Sequence, residues 1–168
     1  MKLPFMKKFP KDTGTISNQP TYFPEKIIRS LPLSEYKLMS YFDLLNEVLA
    51  ENEILPITDF QNLKPKPHTI RQDKKDRWKV GNKVHFYINA RTKNQFQFAP
   101  VLEVKSIQKI YINPFAEVCR VCVDGKWISN EVLEQLAIND GFNSIDDFFQ
   151  YFNNYFTGKL IHWTDLKY

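Results

Sequence analysis

The sequence predicts a small α+β domain, in which mostly antiparallel strands form a barrel-like structure with helices inserted between them. Three observations support this: residues of alternating polarity in the second half of the chain, helical apolar spacing in two regions, and turn-forming residues between the segments. The 168 residues are about the length of one domain. We therefore expect a single domain over residues 1–168.

The first third of the chain is predicted to contain one short strand and two helices. Residues 2–6 are typical of a strand, and a helix is expected to begin near residues 21–24, where a proline suits the first turn. Ser34 is a suitable N-cap for a longer second helix. Residues 54–65 are expected to form an irregular linker. The second helix has apolar residues at alternating steps of four and three, namely Leu38, Phe42, Leu45 and Leu49.

The middle of the chain is predicted to be rich in strands. Val84, Phe86 and Ile88 alternate with polar or amphipathic residues, as in a half-buried strand. One or two further strands are expected over residues 96–112. EVCRVCV and KWI flank an Asp-Gly pair, the preferred turn of a tight hairpin. These segments would supply most of the predicted barrel.

Two short helices and a closing strand are predicted at the C-terminal end. NEVLEQLAIND has helical apolar spacing, and after Gly141 a second helix is expected to start at Ser144, with Asp147 completing a capping-box pattern. Gly158 is expected to end that helix, and KLIHWTDLKY would then return as a strand. The inner face of the second helix is expected to be formed by Ile145, Phe148, Phe149, Phe152 and Phe156.

Several classes of protein are disfavoured by the sequence. No apolar run approaches the roughly 18–20 residues that span a bilayer, and charge and proline interrupt the N-terminal segment too often for a secretory signal. We therefore expect no membrane association and a cytoplasmic location.

Cys119 and Cys122 are three residues apart in a predicted strand, which favours ordinary strand cysteines over a redox pair or half of a zinc site. The histidines lack metal-ligand spacing, so neither a metal nor a cofactor is expected.

Positive charge is concentrated in one region. The formal net charge is only +4, but residues 64–109 contain twelve Lys or Arg against three Asp or Glu, a local balance of +9. Such a region can attract a phosphate-bearing partner because neutralising phosphates releases counterions. The alternative is a solvated, lysine-rich face without a specific ligand.

The densest basic stretch is KPKPHTIRQDKKDRW at residues 64–78, which has Thr69 at its centre. Pro67 disfavours a helical conformation at Lys66, so the segment should be extended or turned. If Lys66 and Thr69 meet in a crevice, a desolvated lysine of lowered pKa can deprotonate the threonine hydroxyl. From the residues alone, an exposed basic turn is the alternative.

Lys66, Thr69 and Arg71 resemble the KxxTxR part of the GxKxxTxR signature of the ASCH family, a branch of the PUA-like fold. Lys64 stands where that signature has glycine. RWKVGNKVHF, LAINDGFNSIDDFFQYF and KLIHWTDLKY also resemble later segments of the family. The resemblance covers most of the chain except about residues 31–63, which would be an insertion forming a helical arm. It implies a PUA-like β-barrel with flanking helices.

The resemblance also implies functions. ASCH domains are generally associated with RNA, and a bacterial branch hydrolyses acetylcytidine by removing the acetyl group from the exocyclic amine. Carried over to this sequence, the catalytic residues of that branch are Lys66 as general base, Thr69 as nucleophile or orienting hydroxyl, and Asp140, in place of a glutamate, as the group that handles protons or orients the lysine. Arg71 suits an oxyanion, a phosphate or a cytosine carbonyl, and its alternative is a structural ion pair with Asp73 or Asp140.

Three hypotheses for function follow. The first is a module that binds RNA or a modified nucleoside in a basic cleft; the second is an amidohydrolase acting on an acetylcytidine-like base in the same cleft. The third is a protein-interaction adaptor that uses the helix at residues 34–52. The residues expected to bind the substrate or nucleic acid are Lys64, His68, Arg71, Lys74, Lys75, Arg77 and Trp78.

Overall fold

The computed structural model describes residues 1–50, 60–118 and 120–168, and it has a mixed α+β architecture. The α-helices within these ranges are α1 (Phe23–Arg29), α2 (Glu35–Ala50), α3 (Asn130–Asn139) and α4 (Ile145–Tyr151). The nine strands are β1 (Lys2–Pro4), β2 (His68–Arg71), β3 (Lys83–Ile88), β4 (Phe96–Gln97), β5 (Leu102–Glu103), β6 (Ser106–Ile112), β7 (Val121–Val123), β8 (Lys126–Trp127) and β9 (Phe156–His162). The predicted α+β class is thus confirmed.

Within the described residues the strands form two sheets, and they do not close into the small β-barrel that was predicted. In the first sheet, β3 pairs in parallel with β1 and antiparallel with β4 and β5. The second sheet is antiparallel, with the order β2-β9-β6-β7-β8. Strands β4, β5 and β8 have only two residues each. They are too short to continue a hydrogen-bonded ladder around a complete barrel.

Several local predictions are confirmed. The four apolar residues predicted to line the second helix are the buried residues of α2. Strands β7 and β8 form a hairpin in which Asp124 and Gly125 have φ values of 49° and 84°, and positive φ at both central residues is what a type I′ turn requires. The hydroxyl of Ser144 accepts a 3.1 Å hydrogen bond from the backbone N–H of Asp147 at the start of α4.

The predicted end of the last helix is wrong. Helix α4 ends at Tyr151, and Phe156 begins strand β9 instead of continuing the helical face. Gly158 lies inside β9, where an added Cβ would stand 2.5 Å from the backbone oxygen of Arg71 in β2. The glycine therefore permits the close approach of two paired strands and does not stop a helix.

One cluster of buried apolar residues connects the sheets and helices. The apolar side chains of α2 are part of this cluster, with Leu45 and Leu49 essentially inaccessible. The helix of the predicted insertion is thus packed into the core by its apolar face. That face is occupied by the chain itself, whereas Tyr36 and Leu44 on α2 are exposed. Residues 51–52 of the helix named in the adaptor hypothesis, and residues 54–59 of the predicted linker, lie outside the described residues.

Two further sequence predictions concern cysteines and membranes. Cys122 lies in β7, as expected for a strand cysteine, whereas Cys119 lies outside the described residues. Within the described ranges, none of the helices is both long enough and apolar enough to cross a bilayer.

Candidate functional site

Lys66 and Asp140 form a buried ion pair, although they are 74 residues apart in the sequence. The Lys66 ammonium donates to Oδ1 of Asp140 at 2.6 Å and also to the backbone oxygen of Asp140. Their side chains are 1% and 6% exposed. Oδ1 of Asp140 also accepts a 3.2 Å hydrogen bond from the backbone N–H of Ile70. The carboxylate therefore joins the end of α3 to the segment around β2.

The backbone next to this pair depends on a glycine. Asp140 is the C-cap of α3, and Gly141 follows with φ of 95°, a conformation that other residues rarely adopt. An added Cβ at Gly141 would stand 2.8 Å from the ring of Phe23 and 3.1 Å from Cδ of Lys66. The backbone N–H of Lys66 donates to the backbone oxygen of Lys26 in α1 at 2.8 Å. Helix α1 and the α3–α4 connection thus hold Lys66 from two sides.

The ion pair borders a small internal cavity of ≈ 20 Å³, a volume that holds about one water molecule. Thr69 and Arg71 also border it, so the structure brings together the four residues that match or align with the ASCH motif. Thr69 is buried, at 3% exposed. The remaining lining is mostly apolar and consists of Met6, Phe23, Ile70, Phe142, Tyr151 and Phe152.

Burial and charge shift the pKa values of the pair. Desolvation lowers the pKa of Lys66 to about 8, although the Asp140 carboxylate opposes the decrease. Burial alone would raise the pKa of Asp140, but the Lys66 ammonium and His68 outweigh it, so the pKa of Asp140 is lowered. At neutral pH the pair is therefore ionised, and Lys66 is close enough to its pKa to exchange a proton.

Arg71 stands at the outer side of the cavity. Its Nη2 donates to the backbone oxygen of Pro4 at 2.7 Å, and its guanidinium lies 4.9 Å from the ring centre of Phe5. It forms no ion pair with Asp73 or Asp140, the alternative considered from the sequence; Asp73 instead pairs with Lys159 at 2.9 Å. Among the described residues, the backbone oxygen of Pro4 is the acceptor of the Arg71 side chain, and the buried Nε lacks a partner.

His68 was predicted to bind a ligand, but the structure buries it away from the cavity lining. Side chains alternate along a strand, so His68 faces the opposite side of β2 from Thr69 and Arg71. Its Nε2 lies 2.8 Å from the hydroxyl of Tyr168, and its Nδ1 lies 3.5 Å from Oδ1 of Asp140. Burial lowers the pKa of His68. His68 therefore packs against the Asp140 carboxylate on the side away from the cavity and helps to position it.

The other predicted binding residues separate into two groups. Lys64, Lys74, Lys75 and Arg77 are exposed, as a surface that attracts phosphate requires. Trp78, expected to be available for stacking on a base, is only 6% exposed and belongs to the core. It is buried because Asp73 accepts hydrogen bonds from the backbone N–H groups of residues 77 and 78, which turns the chain inward.

Sequence reasoning missed one charged residue at the site. Lys26 in α1 is 6% exposed, and its ammonium donates to the backbone oxygen of Gly141 at 2.6 Å and to Oδ1 of Asn143 at 3.2 Å. Burial lowers the pKa of Lys26 to about 8. Its position in a predicted helix, between Glu25 and Ile27, gave no signal of this role.

A second buried polar group lies beside the site. His162 of β9 pairs in register with His68 of β2 and Ser106 of β6. Both ring nitrogens of His162 lack hydrogen-bond partners among the described residues, and burial lowers its pKa to about 3. No cluster of three or more His, Cys, Asp or Glu suited to a metal ion occurs in the described part of the chain.

The geometry therefore provides an ammonium, a carboxylate, a hydroxyl and a guanidinium around one small cavity. These groups can donate and accept hydrogen bonds to a planar polar ligand, and the ammonium can exchange a proton near neutral pH. Comparison of the chain with protein-family models, curated proteins and solved structures found no match.

Proposed function

We propose that this chain is a PUA-like domain of the ASCH type that binds a nucleobase, in RNA or in a modified nucleoside, at the cavity bordered by Lys66, Thr69, Arg71 and Asp140. One observation carries the proposal. Residues that resemble a known signature, together with a carboxylate about 70 positions away, border the same buried cavity. A purely solvated basic turn would leave Lys66 exposed, whereas its side chain is 1% exposed.

The polar groups suit the edge of a base. The ammonium and the guanidinium can donate to a ring carbonyl, and the carboxylate can accept from an exocyclic amine. The exposed Lys64, Lys74, Lys75 and Arg77 would add salt-dependent attraction to phosphates.

A base needs more room than this small cavity offers. Ligand pockets are typically about 300–1,000 Å³, whereas this one measures ≈ 20 Å³. Binding must therefore move part of the wall. Met6, Arg71 and Tyr151 are the half-buried members of the lining, and they are the side chains that can move without opening the core.

A second candidate function is hydrolysis of an acylated exocyclic amine, as in acetylcytidine. It is favoured by the lowered pKa of Lys66, about 8, and by the position of Thr69 in the lining of the same cavity. Neutral Lys66 would take the hydroxyl proton while Oγ attacks the acyl carbon, and Arg71 would stabilise the resulting oxyanion.

The remaining steps need only water and the side chains already named. When the C–N bond breaks, the proton held by Lys66 passes to the departing amine, leaving the acyl group on Thr69. Water then attacks that ester, Lys66 again moves the proton, and acetate and the free hydroxyl are restored. Asp140 would keep the lysine oriented throughout.

Two measurements test these proposals. RNA binding should weaken steeply as salt increases, and incubation with acetylcytidine should release acetate if the second function holds. Thr69→Val and Lys66→Met should abolish acetate release, whereas Lys37→Met, a change of an exposed lysine on α2, should leave it unchanged. Thr69→Val keeps the side-chain shape, so its effect does not depend on a disturbed fold.

The possible outcomes separate the two functions. Salt-dependent RNA binding without acetate release would support the binding module and reject the hydrolase. Acetate release that persists in both site variants would reject the assigned residues. If neither activity occurs, the proposed function is wrong.

A further inference from the structure

An open groove of ≈ 430 Å³ adjoins the cavity. We call it the outer groove; its lining residues are Pro4, Phe5, Met6, Lys7, Arg71, Asn89 and Ala90. Met6 and Arg71 also line the cavity, so these two side chains form the wall between the two spaces. A ligand that displaces this wall would occupy both.

The outer groove follows from the pairing of two strands. Strands β1 and β3 are parallel, with Pro4 opposite Tyr87, so both strands end on the same side of the sheet. The residues after β1, at 5–7, and those after β3, at 89–90, therefore lie side by side. Arg71 reaches this edge from the end of β2, where its Nη2 bonds to Pro4.

The groove has the charge of an anion site. Its lining includes two cations, Lys7 and Arg71, together with the amide of Asn89, and none of the described residues in it is acidic. Burial and the neighbouring Lys8 ammonium lower the pKa of Lys7. A bound anion would offset both effects and keep the Lys7 ammonium protonated.

Arg71 is held in place but is not saturated. A guanidinium has five N–H donors, and the described residues accept a hydrogen bond only from Nη2. Its Nε is buried and has no partner among them, a condition that is unfavourable, and more so for a charged group than for a neutral one. The hydrogen bond to Pro4 and the contact with the Phe5 ring restrict the movement of the guanidinium, which lowers the entropy cost of a hydrogen bond to an acceptor such as phosphate.

We propose that the outer groove binds a phosphate group through Lys7 and Arg71, and that this phosphate is attached to the sugar of the base held in the cavity. The inference rests on the proposed function for the identity of the base. The preferred ligand is then a nucleotide or an RNA chain and not a free nucleoside. A free nucleotide and an RNA chain both present phosphate oxygens to the groove.

Calorimetric titration at low salt with cytidine and with cytidine 5′-monophosphate tests the inference. One charge-assisted contact contributes about 1.5–3 kcal/mol, so the monophosphate should bind about 10-fold to 100-fold more tightly than the nucleoside. Lys7→Gln should remove most of the difference in affinity between the monophosphate and the nucleoside. Arg71→Lys should reduce this difference, because an ammonium cannot make the bidentate hydrogen bonds of a guanidinium. Lys8→Gln makes the same charge change next to the groove but outside its lining, and it should alter the advantage by no more than about twofold.

Each outcome decides the inference. Equal affinity for the two compounds, or an advantage that Lys7→Gln and Lys8→Gln reduce equally, would overturn the phosphate site and leave base binding intact. A monophosphate that does not bind would overturn it as well, and the RNA and acetylcytidine measurements would then decide the proposed function separately. A cytidine trinucleotide in the same titration identifies the source, because tighter binding than the monophosphate indicates an internucleotide phosphate.

Discussion

Removing one partner of the Lys66–Asp140 pair should be far more harmful than removing both. The two side chains are 1% and 6% exposed and their charged atoms are 2.6 Å apart. Leaving one buried charge unpaired typically costs about 3–5 kcal/mol, whereas replacing a whole pair by neutral groups of similar volume is often close to neutral. Lys66→Met and Asp140→Asn should each therefore lower the free energy of unfolding by about 3–5 kcal/mol.

The double variant gives the decisive comparison. Met and Asn preserve most of the volume of the two side chains, so Lys66→Met/Asp140→Asn should lose clearly less stability than the sum of the single changes. In a chain of this size each kcal/mol corresponds to about 2–4 °C in Tm, so each single variant should melt about 6–20 °C below the unaltered protein. Urea unfolding at pH 7, followed by circular dichroism, measures all three variants.

The pH dependence gives an independent measurement. Between pH 8 and 10.5 the unfolded chain keeps the Lys66 proton while the folded chain has lost it, since the folded pKa is about 8. The unfolded state binds more protons there, so stability from this residue rises with pH across that window. Lys66→Met should make stability rise less steeply with pH. Part of the increase should remain, because the pKa of Lys26 is also about 8. The proposed desolvated ion pair would be refuted by two results together. Each single variant would lose less than about 1 kcal/mol, with the two losses adding in the double variant, and Lys66→Met would leave the pH dependence of stability unchanged.

Three further predictions concern other residues. Gly141→Ala should destabilise the protein more than Gly125→Ala, because both glycines have positive φ but only the Cβ at 141 would clash, at 2.8 Å from the Phe23 ring; equal changes in Tm would contradict this. Glu25 is 2% exposed and burial raises its pKa to about 7 from 4.5, so the folded state binds the extra proton between these values and stability from this group falls as pH rises through them. Glu25→Gln should therefore stabilise the protein at pH 8 by on the order of 3 kcal/mol, and an unchanged urea midpoint would reject the buried carboxyl. Tyr168→Phe loses two hydrogen bonds of 2.8 Å each and should cost about 1–3 kcal/mol, measured in the same unfolding assay; no loss would mean that water replaces them.

Local patterns in the sequence predicted the elements that depend on local forces. The apolar spacing of α2, the Asp-Gly turn and the Ser144 cap are each determined by residues within a few positions of one another. The end of α4 was missed because Phe156 suits either a helical face or a strand, and its pairing with Ile112 of β6 decides between them. Long-range pairing of this kind has no local signature.

The candidate site shows the same division. The motif placed Lys66, Thr69 and Arg71 near one another, but the contribution of Lys26 depends on where α1 packs and could not be predicted from spacing. The depth of the cavity was also inaccessible to sequence reasoning, because it depends on aromatic side chains from separate elements that close around the ion pair.

The ion pair also has a consequence for the order of folding. Its two members are separated by 74 residues, and the intervening chain contains most of the second sheet. Closing so long a segment is slow compared with forming a helix or a hairpin. Water should therefore leave these two charges only in a late step, and a chain that has acquired its secondary structure would still lack a sealed cavity. During refolding, ligand binding should consequently recover later than the far-ultraviolet circular dichroism signal that reports secondary structure.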